Sequence, residues 1–449
     1  MRSQASSTDP SPRQPGDRPP GLLLRRAVTL DGGLVDIQIA GGVIADVAPA
    51  GTLTAQGPER RLAGRALVLP ALVEPHSHLT KTATGAAGNP VGSFAGACAA
   101  GLPTGRTVAD VERAADQARR RMLASGATAL RTHVEIGADL DHGGLEVLRA
   151  FLALRDASRA EMDLQVFAFA ISPLTGRAGE GNRAATLAAL AAGADGVGAC
   201  PWLDPDPVGS IDWCLRAAAD AGVAVDLHMD ETTDPEIFWL PNLLDVIEAR
   251  GHTGPVAASH CCSLGLQPGP LLKRTVARLA AHADHVGVIA CPVTNLGLHE
   301  RDKHTHQYRG LAPVRMLVEA GVPVAAGGDN VRDAFNPLGR GDPLEAFSWM
   351  VNAAHLGVPQ ALAAITTDAR RILGLPPVGL LPGSPADLVI LTGSSPDEAL
   401  ANADQSRTVL HHGQVVAHTT VNATYPAGTA RAAAASAAGR DEPAAAVAR

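Results

Sequence analysis

Two histidines, His76 and His78, stand one residue apart in EPHSHL and close the apolar run from Ala66 to Val73. Side chains alternate along a strand, so both imidazoles face one way. A buried imidazole needs a partner, and a pair aimed together makes two corners of a metal site. The same kind of residue recurs where other apolar stretches end. His133 lies in RTHVE, His228, Asp230 and Glu231 in DLHMDE, His260 in ASH and Asp329 in GGDN. Any one of these alone reads as a hydrogen-bonded structural residue. Their repetition in one setting points to chemistry. A divalent ion lowers the pKa of a bound water toward neutrality, and carboxyl groups beside it can move the protons.

Such residues must be brought together by the elements that carry them. TVADVERAADQARRRMLASG reads as a helix, with Thr107 as N-cap, Asp110 complementing the dipole and Gly126 at the stop. The strand ATALRTHV follows it, and the alternation continues. Helices are expected near 143–156, 182–193, 211–221, 237–250, 269–283 and 313–320. Strands are expected at MDLQVFAFA, GVGAC, VAVDLHMD, VAASH, HVGVIACPV and VPVAAGGD. With LVLPALVEPHSH as the first strand, eight strands alternate with helices. That predicts an α/β fold, a (β/α)8 TIM barrel with its chemistry at the C-terminal strand ends. No GxGxxG or P-loop opens a helix. The segments GLLLRRAVTLDGGLVDIQIAGGVIADVAPAG, ADLVILTG and RTVLHHGQVVAHT alternate apolar and polar residues, so the two chain ends should form one small β domain. The expected organisation is a disordered tail at 1–20, a β-sandwich domain from 21–68 plus 375–422, a barrel at 69–374 and a low-complexity tail at 423–449.

The 449 residues are 46% hydrophobic and only 3% aromatic, which predicts an aliphatic core and no aromatic platform for bases. The formal net charge is −8 with no long basic cluster, so neither nucleic acid nor an anionic membrane is an expected partner. Six cysteines without CxxC spacing read as buried thiols in a reducing compartment. No run approaches the ~18 apolar residues of a membrane helix, and the N-terminus lacks the apolar core of a secretory signal. A cytoplasmic protein is expected.

The stretches VEPHSHL, RTHVEIG, DLQVFAFA, HMDE, ASH and GGDNVRDAFNPLGRGD together resemble the amidohydrolase superfamily. The closer likeness is to its cytosine deaminase-like branch and to amidohydrolases of triazine rings, over roughly residues 20–420. The resemblance implies a distorted TIM barrel with a small β-sandwich domain and one divalent metal ion, Zn2+ or Fe2+. His76, His78, His228 and Asp329 would be the ligands. Strand 4 ends in GVGACPW, without a lysine to bridge a second ion. Glu231 would be the proton shuttle, His260 would polarise the attacked carbon, and Asp329 would also accept a proton. The implied reaction is hydrolytic deamination of a small aminated, pyrimidine-like N-heterocycle with release of ammonia. The alternatives are removal of an N-alkylamine, opening of a cyclic amide on a related ring, or a non-catalytic binding protein of the same fold. A homo-oligomer is compatible with all of them.

Three positions depart from the cytosine deaminase pattern. Ile171 stands where a glutamine reads the pyrimidine edge, Asn330 where a second aspartate follows the metal aspartate, and Thr80 where HLDK has an acid. Loss of the glutamine's hydrogen bonds makes cytosine itself a poor expectation. Ile171, Trp202, Asn330 and Phe335 are the substrate-binding candidates. His133 is a candidate support for the ligands, Arg332 and Asp333 a structural pair, and His299 and His304 candidates for a lid.

Overall fold

The computed structural model describes residues 21–62, 66–84, 105–140, 144–393, 395–402 and 406–424. The expected tail at 1–20, the C-terminal tail from 425 onward and Cys98 lie outside them.

Eight parallel strands form one sheet in sequential order. They are β1 (Leu72–Ser77), β2 (Ala127–Ile136), β3 (Asp163–Ala170), β4 (Gly196–Ala199), β5 (Ala224–Met229), β6 (Val256–His260), β7 (Val286–Ala290) and β8 (Val324–Ala326). Between β1 and β8 the sheet closes through a single parallel bridge, Ser77 to Asp329. The Asp329 N–H donates to the His76 carbonyl at 3.1 Å. The expected barrel is therefore present, and its seam runs through two of the chemically interesting segments.

Glu74 makes the rest of that seam. Its buried carboxylate accepts the Gly328 N–H on both oxygens, at 2.9 and 3.0 Å. A Cβ at Gly328 would lie 2.9 Å from Glu74 Oε2, so only glycine lets the backbone approach this closely. β8 is correspondingly shorter than VPVAAGGD suggests: Gly327 still donates to the Ala290 carbonyl, but the Gly328 N–H binds the Glu74 side chain instead of continuing the ladder.

The barrel floor is apolar. Val73, Ala129, Ala257, Ile289 and Ala325 cluster with Ile372 and Leu373 from the region of helix Thr367–Ile372. Above that layer the interior turns polar. Thr107 caps helix Val108–Ala124 as expected, in a reciprocal bond with Asp110. Helix Pro292–Leu298 was not legible: it falls where the apolar run of strand 7 seemed to continue, and Pro292 starts it.

The second sheet is mixed and is built from both chain ends, as expected. Leu22–Val28, Leu34–Ala40 and Val43–Pro49 meet Leu388–Leu391, Arg407–His411 and Gln414–Thr419 through Leu67–Pro70, while Glu59–Arg61 pairs with Leu22–Val28. It has its own aliphatic core around Leu24, Ile37, Ile44, Val68, Leu388 and Leu410.

Candidate active site

Three imidazoles converge where β1 and β5 end. His78 Nε2 lies 3.0 Å and His76 Nε2 3.2 Å from His228 Nε2. Asp329 Oδ1 approaches His78 Nε2 at 3.5 Å and His76 Nε2 at 4.0 Å. All four residues are buried. Burial, reinforced by the neighbouring groups, pushes His78 and His228 well below the usual imidazole range and so keeps them neutral, the form that ligates. Asp329 Oδ1 is buried without a hydrogen bond, and burial with the nearby Glu231 and Asp333 pushes its carboxyl up. Three imidazole nitrogens that face one another and an unsatisfied carboxylate oxygen, about 3–4 Å apart, match the donor set and spacing of a divalent transition-metal ion.

The cluster rests on a polar layer that fixes its orientation. The Asp226 carboxylate is completely buried and lies 3.5 Å from His76 Nδ1 and 3.5 Å from His133 Nε2. Arg131 Nη1 donates to it at 3.0 Å, and the Ser259 hydroxyl donates to its other oxygen at 2.5 Å. Ser259 Oγ is also 3.1 Å from His76 Nδ1. Burial raises Asp226, but the charges and hydrogen bonds of His76 and His133 outweigh it and hold the carboxyl well below its ordinary range. A carboxylate behind a ligating histidine sets its tautomer and leaves Nε2 free to bind. His133 thus stands under the cluster, 3.3 Å from His76 Nδ1, and not among its donors.

Glu231 and His260 are joined through Asn295, on helix Pro292–Leu298. Asn295 Nδ2 donates to Glu231 Oε1 at 3.0 Å, and its Oδ1 lies 3.1 Å from His260 Nδ1. His260 Nε2 is buried without a hydrogen bond. Burial pushes the Glu231 carboxyl up to about 8, against the opposing effects of Asn295 and Lys81. His260 and Asp329 both have left-handed backbones, with φ of 69° and 65°. Such conformations are costly for these residues and tend to be kept at functional sites. Asp230, at the end of the same run as His228, has a different task. Its carboxylate accepts the N–H groups of Trp239 and Leu240 at 2.8 and 2.9 Å and anchors the next helix.

A cavity of about 300 Å³ opens above these groups. His78, His228, Glu231 and Asp329 reach it from below, and Phe169, Ile171, Leu203 and Phe335 supply apolar wall. Ile171, Asn330 and Phe335 line it as the sequence suggested. Trp202 does not: it is half-buried on the turn Pro201–Leu203, whose neighbours Cys200 and Leu203 line the cavity instead. Asn330 is held by Asp333, to which its amide donates at 2.6 Å. Asp333 also takes the N–H groups of Phe335 and Asn336, whereas Arg332 is exposed, so the expected Arg332–Asp333 pair is replaced by a loop-folding carboxylate. His299 and His304 are not among the lining residues.

The sequence reading missed Asn295, Lys81, Phe169 and Asp226. Asp226 precedes His228 by two and therefore shares its face, a signal that was available. Lys81 lines the cavity with its ammonium 3.1 Å from Glu135 Oε1 and 5.0 Å from the centre of the Phe335 ring. Thr80 donates to the other oxygen of Glu135 at 2.5 Å. An acid at position 80 would set two carboxylates together there.

Residues 95–417 match the model of the amidohydrolase family. The chain belongs to the amidohydrolase family. It is 33% identical over 389 residues to a pterin deaminase of Rhizobium rhizogenes, spanning 85% of this chain and 87% of the relative. It is 25% identical to an N-isopropylammelide isopropyl amidohydrolase of a Pseudomonas species, over 78% of this chain and 86% of that one. Among solved structures, 5-methylcytosine deaminase from Klebsiella pneumoniae liganded with phosphonocytosine superposes with a TM-score of 0.78 at 28% identity. That match covers 90% of this chain and all of the other. These likenesses lie in the cytosine deaminase-like branch and agree with an enzyme acting on C–N bonds. Among the described residues, no helix is long and apolar enough to cross a membrane.

Proposed function

We propose that this amidohydrolase is a hydrolytic deaminase of a small, flat, aminated N-heterocycle, dependent on one divalent ion, Zn2+ or Fe2+. His76, His78, His228 and Asp329 would hold the ion. When bound there, it supplies Lewis-acid chemistry that makes a water nucleophilic near neutral pH.

The chain's own groups then divide the work. Phe169, Ile171 and Phe335 clasp the two faces and edge of a flat ring and displace water from the cavity. Glu231, largely protonated at neutral pH, donates its proton to a ring nitrogen and so makes the adjacent carbon electrophilic. Asp329 accepts a proton from the incoming water. His260, held through Nδ1 by Asn295, turns a bare Nε2 toward the reacting groups and orients them by hydrogen bonding. Asp329 passes the proton it took from the water to the departing amine, while the Glu231 carboxylate recovers a proton from the new hydroxyl as the carbonyl forms, and ammonia leaves. The carrying observation is that a carboxyl raised by burial, an unsatisfied carboxylate oxygen and the neutral imidazoles of His78 and His228 border one cavity. Relatives that deaminate a pterin and a methylcytosine support the ring class.

An ammonia-release screen of Zn- and Fe-loaded protein tests the reading, over aminated pyrimidines, pteridines, purines and triazines. Turnover of at least one ring, lost on chelation, is expected. Fully metallated protein that releases no ammonia from any of them contradicts it.

A further inference from the structure

A second group of metal-binding side chains lies away from the cavity, where the mixed sheet meets the start of β3. Asp163 opens β3, and His411 and His412 end the strand Arg407–His411 and begin its turn into Gln414–Thr419. One ligand atom from each of the three lies within 4.8 Å of the others. Successive side chains on a strand normally point apart. Here the two rings come together, with centroids 4.1 Å apart, because His412 has a left-handed backbone with φ of 46°. A turn of this kind favours asparagine, aspartate or glycine at that place, and histidine adopts it at a cost.

The second observation is His411 itself. It is 1% exposed, and both of its ring nitrogens are buried without a hydrogen bond. Its Nδ1 lies 3.1 Å from the fully buried carboxylate of Asp387, which also accepts the His412 N–H at 2.8 Å. A fully buried imidazole with neither nitrogen satisfied needs a partner, and the buried carboxylate beside Nδ1 favours Nε2 as the nitrogen presented to a metal. Arg370 faces the group as well, 3.3 Å from Asp163 and 3.4 Å from Asp387. One guanidinium against two carboxylates leaves a negative charge uncancelled. Asp163 and His412 are partly exposed, so an ion has an approach from solvent.

We propose that Asp163, His411 and His412 form a second site for a divalent transition-metal ion, a clip between the barrel and the mixed sheet with no part in turnover. Two imidazoles and one carboxylate suit Zn2+ better than Mg2+ or Ca2+. Three protein donors, one of them shared with Arg370, imply weaker binding than at the four-donor cluster.

The test is equilibrium dialysis of the chelator-stripped full chain against Zn2+, with bound metal counted per chain. Wild type is expected to take up two ions in two affinity classes. His412→Ala should lose only the weaker class and keep its turnover. His78→Ala should lose the tight class and keep the weaker one, so a failure at the catalytic cluster is distinguishable from a failure here. Wild type that saturates at one ion, or His412→Ala that still binds two, overturns the proposal. If His412→Ala folds poorly, His412→Asn, which suits the left-handed turn, replaces it with the same expectation.

Discussion

At the residue scale, function depends on how a few side chains are restrained. Glu231 is held by Asn295 and kept protonated by burial, so its removal should separate chemistry from metal binding. Glu231→Gln is expected to retain its metal and to lose turnover by about 10²–10⁴-fold. Metal content measured beside steady-state rates checks this, and an unchanged rate would remove its shuttle role. Ile171 puts an aliphatic surface on the cavity edge where a pyrimidine-reading amide would sit. Ile171→Gln should raise the rate on cytosine relative to wild type, and an unaltered cytosine assay counts against Ile171 as a specificity determinant. The convergence of His76 and His78 was legible because period two puts both on one side of their strand. Asn295 was not, because nothing in CPVTNLGLHE marks a helix start except Pro292, and the preceding apolar run disguises it.

At the element scale, short strands and glycines make room for the polar interior. On β4, a Cβ at Gly198 would lie 2.6 Å from His133 Nδ1 and 3.1 Å from the Phe169 ring. Gly198→Ala should therefore cost about 1–3 kcal/mol through overpacking and weaken metal retention by tilting the support of His76. Thermal unfolding and metal content should fall together; a stable, fully metallated variant refutes this use of the glycine. In the mixed sheet, Asp36 is buried and accepts the N–H groups of Arg26 and Gly51 at 3.0 and 2.8 Å and Arg25 Nη1 at 2.7 Å. Burial raises its pKa, but the Arg26 N–H, the Arg25 guanidinium and the Gly51 N–H outweigh that and lower it. A carboxyl depressed in the folded state stabilises the fold above its unfolded value, near 4. That contribution is lost as pH falls through the folded value. Asp36→Asn should therefore flatten the loss of stability as pH falls below about 4, seen in acid titrations by circular dichroism. The alternation of helices and strands was readable from period and turn residues. The helices after β8 were not, since Pro343–Asn352 and its successors belong to no βα repeat.

At the scale of the whole molecule, the seam of the barrel and the donor cluster coincide. A single bridge and the Glu74–Gly328 bonds join β1 to β8 where His76 and Asp329 face each other. An ion held by residues from β1, β5 and β8 would tie the sheet at its weakest lateral contact. Chelation should then lower the unfolding temperature by several degrees, equivalent to about 2.7 kcal/mol at free metal a hundred times the Kd. Equal unfolding temperatures for loaded and stripped protein would separate the ion from the seam. The chain ends were legible as one β unit from their alternating texture, but its contact with the barrel through Asp163, Arg370 and Asp387 was not. Those residues are far apart in sequence and carry no motif.

The most direct measurement is anomalous diffraction from crystals of the metallated protein, collected at the zinc and iron absorption edges. A peak among Nε2 of His76, His78 and His228 and Oδ1 of Asp329 is the predicted result. Fully metallated crystals with no anomalous density between those four atoms would contradict the account.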